Sequence, residues 1–122
     1  YISNRGRYPI KCKKLMMETE MLDAKRKDPW GITDLHNAAY EGRLDDCRWL
    51  VENGCEINAK NFFGGTALHI AALHGYDKIC VLLVENGADV LMKDDAGFLP
   101  SQYAIAGDHY RLWERLKEYE RV

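Results

Sequence analysis

The sequence predicts an all-α protein in which short helix–turn–helix pairs stack side by side into a solenoid. Three observations predict this. The chain repeats itself every 33 residues. Within each unit, apolar residues recur at helical spacing between glycines and threonines that suit helix ends. The last unit ends in a helix with a polar outer face, as a terminal unit needs when nothing stacks beyond it.

The period appears when residues 28–60 are written over 61–93. Gly31 then meets Gly64, Thr33 meets Thr66, and Leu35-His36 falls over Leu68-His69. Ala38-Ala39 meets Ala71-Ala72, Gly42 meets Gly75, Cys47 meets Cys80, and Lys60 meets Lys93. The run Leu50-Val51-Glu52-Asn53-Gly54 repeats as Leu83-Val84-Glu85-Asn86-Gly87, so 14 of 33 positions are identical. Helices are expected at 35–41 with 44–53, 68–74 with 77–86, and 101–106 with 109–119. Thr33 and Thr66 suit N-caps. Gly42 and Gly75 suit the left-handed residue that ends a first helix, and Gly54 and Gly87 end the second.

The third unit, 94–122, is degenerate. Gly97 and Ala104 keep their places, and Pro100 stands where a helix would begin. Ser101 replaces the leucine, Gln102 the histidine, and Asp108 the glycine. Leu112, Trp113 and Leu116 form the inward face of the last helix. Arg111, Glu114, Arg115, Lys117, Glu118 and Glu120 form its polar face.

The stretches 31–42 (Gly-Ile-Thr-Asp-Leu-His-Asn-Ala-Ala-Tyr-Glu-Gly) and 64–75 (Gly-Gly-Thr-Ala-Leu-His-Ile-Ala-Ala-Leu-His-Gly) resemble the ankyrin repeat hallmark G-x-T-P-L-H-x-A-A-x-x-G. Gly54-Cys55-Glu56-Ile57-Asn58 and Gly87-Ala88-Asp89-Val90 resemble its second half, G-A-D-V-N. The likeness is strong over 28–93 and weaker over 94–122. It implies stacked helical pairs, no regular sheet, and structural hydrogen-bonding roles for His36 and His69 rather than metal ligation. Two departures are expected to weaken the first repeat. Asp34 replaces the proline, and Asp46 stands where the second repeat has Ile79, which leaves that side open or covered by another segment.

Residues 1–27 form the second expected unit. They hold eight basic and three acidic side chains, while residues 28–122 hold nine and sixteen, so an arm of +5 precedes a body of −7. Residues 1–10 show no helical period, and Gly6 and Pro9 argue for an extended arm. Leu15, Met17, Met21 and Leu22 share part of a helical face, so residues 11–27 are expected to cap the first repeat.

Several functional classes find no support. There is no phosphate-binding loop, no H-E-x-x-H and no G-x-S-x-G, and His74 and His109 have no nucleophile beside them. The expectation is a protein that is not an enzyme, has no metal or other cofactor, and takes no small-molecule substrate. The longest apolar run, from Ile79 to Val84, is far too short to span a bilayer. Cys12, Cys47, Cys55 and Cys80 form no compact set, which suits a reducing intracellular compartment. Cytoplasm and mitochondrial matrix are the compartments expected, the acid-free basic start favouring the matrix slightly.

What remains is binding. The resemblance places partner contacts at the turn tips and the exposed side of the first helices. The tip residues are Pro29, Trp30 and Ile32; Phe62 and Phe63; and Asp95, Ala96 and Phe98. The helix residues are Tyr40 and Glu41, Leu73 and His74, and Ala106. Large aromatic residues at tips mark an interaction surface, although one or two of the four rings are expected to fold over a neighbouring turn. The arm offers Arg5, Arg7, Lys11, Lys13 and Lys14, which suit nucleic-acid phosphates, an acidic protein groove or an anionic membrane surface. The expected role is a protein-binding module, a scaffold or accessory subunit of a larger assembly; the alternative is a nucleic-acid-contacting protein. The start at Tyr1 rather than Met suits a processed chain, in keeping with an assembly subunit.

Overall fold

The computed structural model describes residues 22–121. The arm cations Arg5, Arg7, Lys11, Lys13 and Lys14, and the capping positions Leu15, Met17 and Met21, lie outside the described residues. Among the described residues six helices occur in three antiparallel pairs: α1 (Asp34–Glu41) with α2 (Leu44–Glu52), α3 (Ala67–His74) with α4 (Asp77–Glu85), and α5 (Pro100–Ala106) with α6 (Tyr110–Glu120). The described residues contain no strand, only an isolated antiparallel bridge between Lys27 and Thr33. The first helices form one row, α1 on α3 on α5, and α2 packs on α4 behind it.

Sequence dictates these ends closely. The Thr33 hydroxyl accepts the His36 backbone N–H at 3.2 Å, while the Thr33 N–H donates to His36 Nδ1 at 3.0 Å. Thr66 and His69 repeat the exchange at 3.4 and 3.1 Å. Each reciprocal cap satisfies two backbone groups, and caps of this kind contribute about 1 kcal/mol. Gly42 and Gly75 end α1 and α3 at φ 73° and 74°. In the third repeat the same place falls to Asp108, which adopts φ 65°. Aspartate is among the few side chains that tolerate this region.

The core runs through the stack as repeated layers. Leu35 and Leu68, the alanine pairs 38–39 and 71–72, Cys47 and Cys80, and Leu50 and Leu83 are all buried. Ala104, Leu112 and Leu116 close the far end. The small alanines let the first helices approach closely, so a larger residue there would overpack the stack.

Both expected weaknesses of the first repeat turn out to be contacts. The Asp34 carboxylate pairs with Arg26 at 2.6 Å and accepts the Asp23 N–H at 2.8 Å. A proline there offers neither contact. Asp46 is 1% exposed and lies 3.2 Å from Arg43, so this side is closed rather than open. Leu22 and Ala24 pack on the core from the segment before α1, but residues 22–27 form turns rather than the end of the helical cap expected over 11–27.

The third repeat repairs its substitutions similarly. Gln102 Oε1 accepts the Leu99 N–H at 2.8 Å, as the histidines do in earlier caps. Ser101 is buried and donates to Glu120 at 2.6 Å. Glu120 therefore does not belong to the solvated outer face expected for it: its side chain is only 9% exposed and also meets Lys117 at 3.0 Å.

Residues 22–28 follow the same period as 55–61 and 88–94. The Lys25 N–H donates to Asp23 as Leu91 does to Asp89, both at 2.9 Å. Lys25 Nζ donates to the Gly54 carbonyl, and Asn58 Nδ2 to that of Gly87, each at 3.1 Å. Clamps of one kind thus join successive exit turns.

Candidate functional site: the ridge of turn tips

Each tip is built by one side chain that gathers the backbone beneath it. Asp28 Oδ1 accepts the N–H groups of Trp30 and Ile32 at 2.9 and 2.8 Å. Asn61 holds Phe63 and Gly65 at 2.9 and 3.0 Å, and Asp94 holds Ala96 and Phe98 at 3.0 and 2.9 Å. Gly31, Gly64 and Gly97 turn the chain at φ 76°, 78° and 88°, where a side chain would be strained. Because these local bonds satisfy the turn backbone, the tip side chains carry little of the burden of holding the turn.

The tips are also joined to one another. The Phe62 N–H donates to the Trp30 carbonyl at 2.7 Å, and the Asp95 N–H to the Phe63 carbonyl at 3.0 Å. His36 and His69 fasten each tip from below. Each Nδ1 accepts a backbone N–H, so Nε2 carries the proton and donates to the next tip, at Gly65 O (3.0 Å) and Phe98 O (2.9 Å). Burial holds both imidazoles below their usual pKa and so keeps them neutral. The resemblance implied these structural roles for both histidines, and the geometry bears it out.

On this stiff frame Trp30, Phe62, Phe63 and Phe98 are 60%, 68%, 73% and 47% exposed. Phe62 and Phe63 meet edge to face at 5.7 Å, and Phe98 lies edge-on to Tyr103 at 6.3 Å. Phe98 thus leans on its own repeat while keeping nearly half its surface free. Asp95 and Ala96 are exposed beside it, and Ile32 is half-buried. On the first helices Tyr40 and Leu73 are 61% and 40% exposed, and Glu41 and Ala106 are exposed. His74 is half-buried, with Tyr40 edge-on at 5.0 Å, Tyr76 stacked at 5.5 Å, and Nδ1 bonded to the Ile70 carbonyl at 3.0 Å. The structure therefore brings the tip aromatics into one ridge, with Tyr40 and Leu73 on the adjoining helix row.

Sequence reasoning missed one column: Arg43, Tyr76 and His109, spaced 33 apart. The Tyr76 ring covers Gly42 and its hydroxyl donates to the Tyr40 carbonyl at 3.4 Å. The His109 ring covers Gly75 and meets the Leu73 carbonyl at 3.1 Å. The signal was present as a shared register position one residue after Gly42, Gly75 and Asp108. Three unlike residue types concealed it.

Among the described residues no group of three or more His, Cys, Asp and Glu side chains could hold a metal, and no helix is long and apolar enough to cross a membrane. Burial pushes the Cys47 and Cys80 thiols up to about 12, which leaves them un-ionised and unreactive near neutral pH.

A family model described as ankyrin repeats (3 copies) matches residues 2–94 and 35–120. No curated protein matches the chain.

Proposed function

Since the chain belongs to the ankyrin repeat family, whose repeats are generally protein–protein interaction modules, we propose that it is a non-catalytic scaffold or accessory subunit that captures a protein partner on the tip ridge. The observation that carries this reading is the exposure of Trp30, Phe62, Phe63 and Phe98 on three hydrogen-bonded tips. Aromatic side chains bury large area with few rotors to freeze, and they dominate interface energetics. Tyr40 and Leu73 extend the surface onto the first helices.

The test replaces Trp30 and Phe62 by Ser together. The double variant is expected to melt within a few degrees of the parent, because neither side chain belongs to the core. The parent is expected to co-purify with a partner identifiable by mass spectrometry, and the variant to lose it. Retention of that partner at undiminished affinity by the folded variant would refute the ridge.

A second reading rests on the first 17 residues, which carry five basic side chains and no acidic one. Here Arg5, Arg7, Lys11, Lys13 and Lys14 contact nucleic-acid phosphates. Salt separates the two, since phosphate binding falls by orders of magnitude between low and moderate salt while aromatic burial changes little. The acidic body, at −7 over residues 28–122, favours a protein partner. The free thiols of Cys47, Cys55 and Cys80 support a reducing compartment, cytoplasm or mitochondrial matrix.

A further inference from the structure

The tip ridge uses one side of the stack. On the side formed by the second helices, a groove of about 480 Å³ runs over α4, between α2 and α6. Its apolar lining is Leu44, Val81 and Leu82, all half-buried. Arg48 from α2, Lys78 from α4 and Arg115 from α6 also line it, with Asp77 and Glu85.

Among the described residues Arg26, Lys27, Arg43 and Lys117 each pair with a carboxylate, while Lys25, Lys60, Lys93, Arg111 and Arg121 do not. Arg48, Lys78 and Arg115 form no ion pair among the described residues, although two carboxylates share their groove. Asp77 stands in the first turn of α4, where the helix dipole already stabilises it. The repeat register explains the layout. Arg48 occupies the position of Val81, and Arg115 that of Leu82, each one 33-residue step away. Stacking therefore sets an apolar pair on the central helix between two guanidinium groups on its neighbours. Trp49, at the Leu82 position of α2, is 43% exposed.

We propose that this groove is a second, independent docking surface, and that its occupant is a short acidic amphipathic segment of a partner protein. One aliphatic side chain of that segment covers Val81 and Leu82. Its flanking carboxylates reach Arg48 on one side and Arg115 on the other. Guanidinium groups favour carboxylates because their fork can donate two parallel hydrogen bonds. The body as a whole is acidic, so this local excess of cations around an apolar floor gives the segment a place to land and a register.

The probe is a synthetic peptide of about twelve residues in which Leu alternates with Glu, titrated into the full chain carrying a 15N label. The expected result is saturable shifts of the Arg48, Val81 and Leu82 amides, with the Phe62 and Phe63 amides unmoved. Joint Arg48→Glu and Arg115→Glu substitution should weaken binding about tenfold or more, since two attractive contacts become repulsive. Joint replacement of the same two by Lys should weaken it less, and both variants should melt as the parent does because these side chains are exposed. Absence of shifts, shifts confined to the tips, or equal affinity of the Glu variant overturns the proposal. So does a preference of the groove for a single-stranded oligonucleotide over the peptide.

Discussion

The middle and last repeats present the same backbone under different pressure. Gly64 and Gly97 turn their tips at nearly the same φ, yet a Cβ on Gly64 would lie 2.7 Å from the Asp95 nitrogen, while one on Gly97 would meet nothing within 4 Å. Gly75 lies under the His109 ring, with a Cβ there 2.5 Å from it, whereas the equivalent Asp108 carries a side chain at φ 65°. A glycine at these positions of the chain answers two demands, the left-handed turn and the closeness of the next repeat. Where no described repeat follows, only the first demand remains, and an aspartate can meet it. The degeneracy of the third repeat is thus a relaxation of constraint at particular positions.

The sharpest way to break this comparison is to give both tips a methyl group. Gly97→Ala should cost about 1–2 kcal/mol, the strain of the left-handed region alone. Gly64→Ala should cost that and about 1–3 kcal/mol more, because the added carbon overlaps a backbone atom that cannot turn aside. Equal losses in paired urea melts would show that stacking adds nothing to the demand for glycine.

Acid should affect the repeats unequally as well. His36 and His69 titrate below their ordinary value of 6.5 in the folded chain because burial disfavours the charged ring. The unfolded chain therefore binds protons first. The stability due to these two groups is complete above about pH 6.5 and is lost as pH falls through the lower folded values. The third repeat uses Gln102 for its cap, and that cap does not titrate. His69→Gln should make the stability–pH curve less steep below about pH 6.5, while Gln102→Ala should lower it evenly. Chemical denaturation across that range distinguishes the two.

The smallest effect is a gain. Asp108→Gly should stabilise the chain by about 0.5–1 kcal/mol, the native strain relieved being partly offset by the freedom glycine adds to the unfolded state. A loss in thermal melting would show that the Asp108 side chain holds its turn by some other means.

These pairs also explain what was legible beforehand. The expected helices fall within one residue of the observed ends, because Thr33, Thr66, Gly42 and Gly75 mark those ends by local chemistry. The tip aromatics were legible because the resemblance, carried over in register, places Trp30, Phe62 and Phe63 at turns. Substitutions answered across space were not. Asp34 looked like a defect because its answer, Arg26, lies before the repeat begins. Glu120 reads as solvated because its partner, Ser101, lies 19 residues earlier in the place of a leucine. The Tyr76 and His109 covers escaped notice because what the period preserves there is a contact, and contacts of a tyrosine and a histidine share no letter.

Pro29 occupies the place in the first tip that Phe62 and Asp95 hold in the next two, where each donates its N–H to the tip before it. Proline has no such hydrogen. At the other end the Ala96 carbonyl, in the place of Trp30 and Phe63, receives no backbone N–H among the described residues. Among the described residues the tip-to-tip ladder therefore runs from the Trp30 carbonyl to the Asp95 N–H, and position 29 supplies no donor that could extend it.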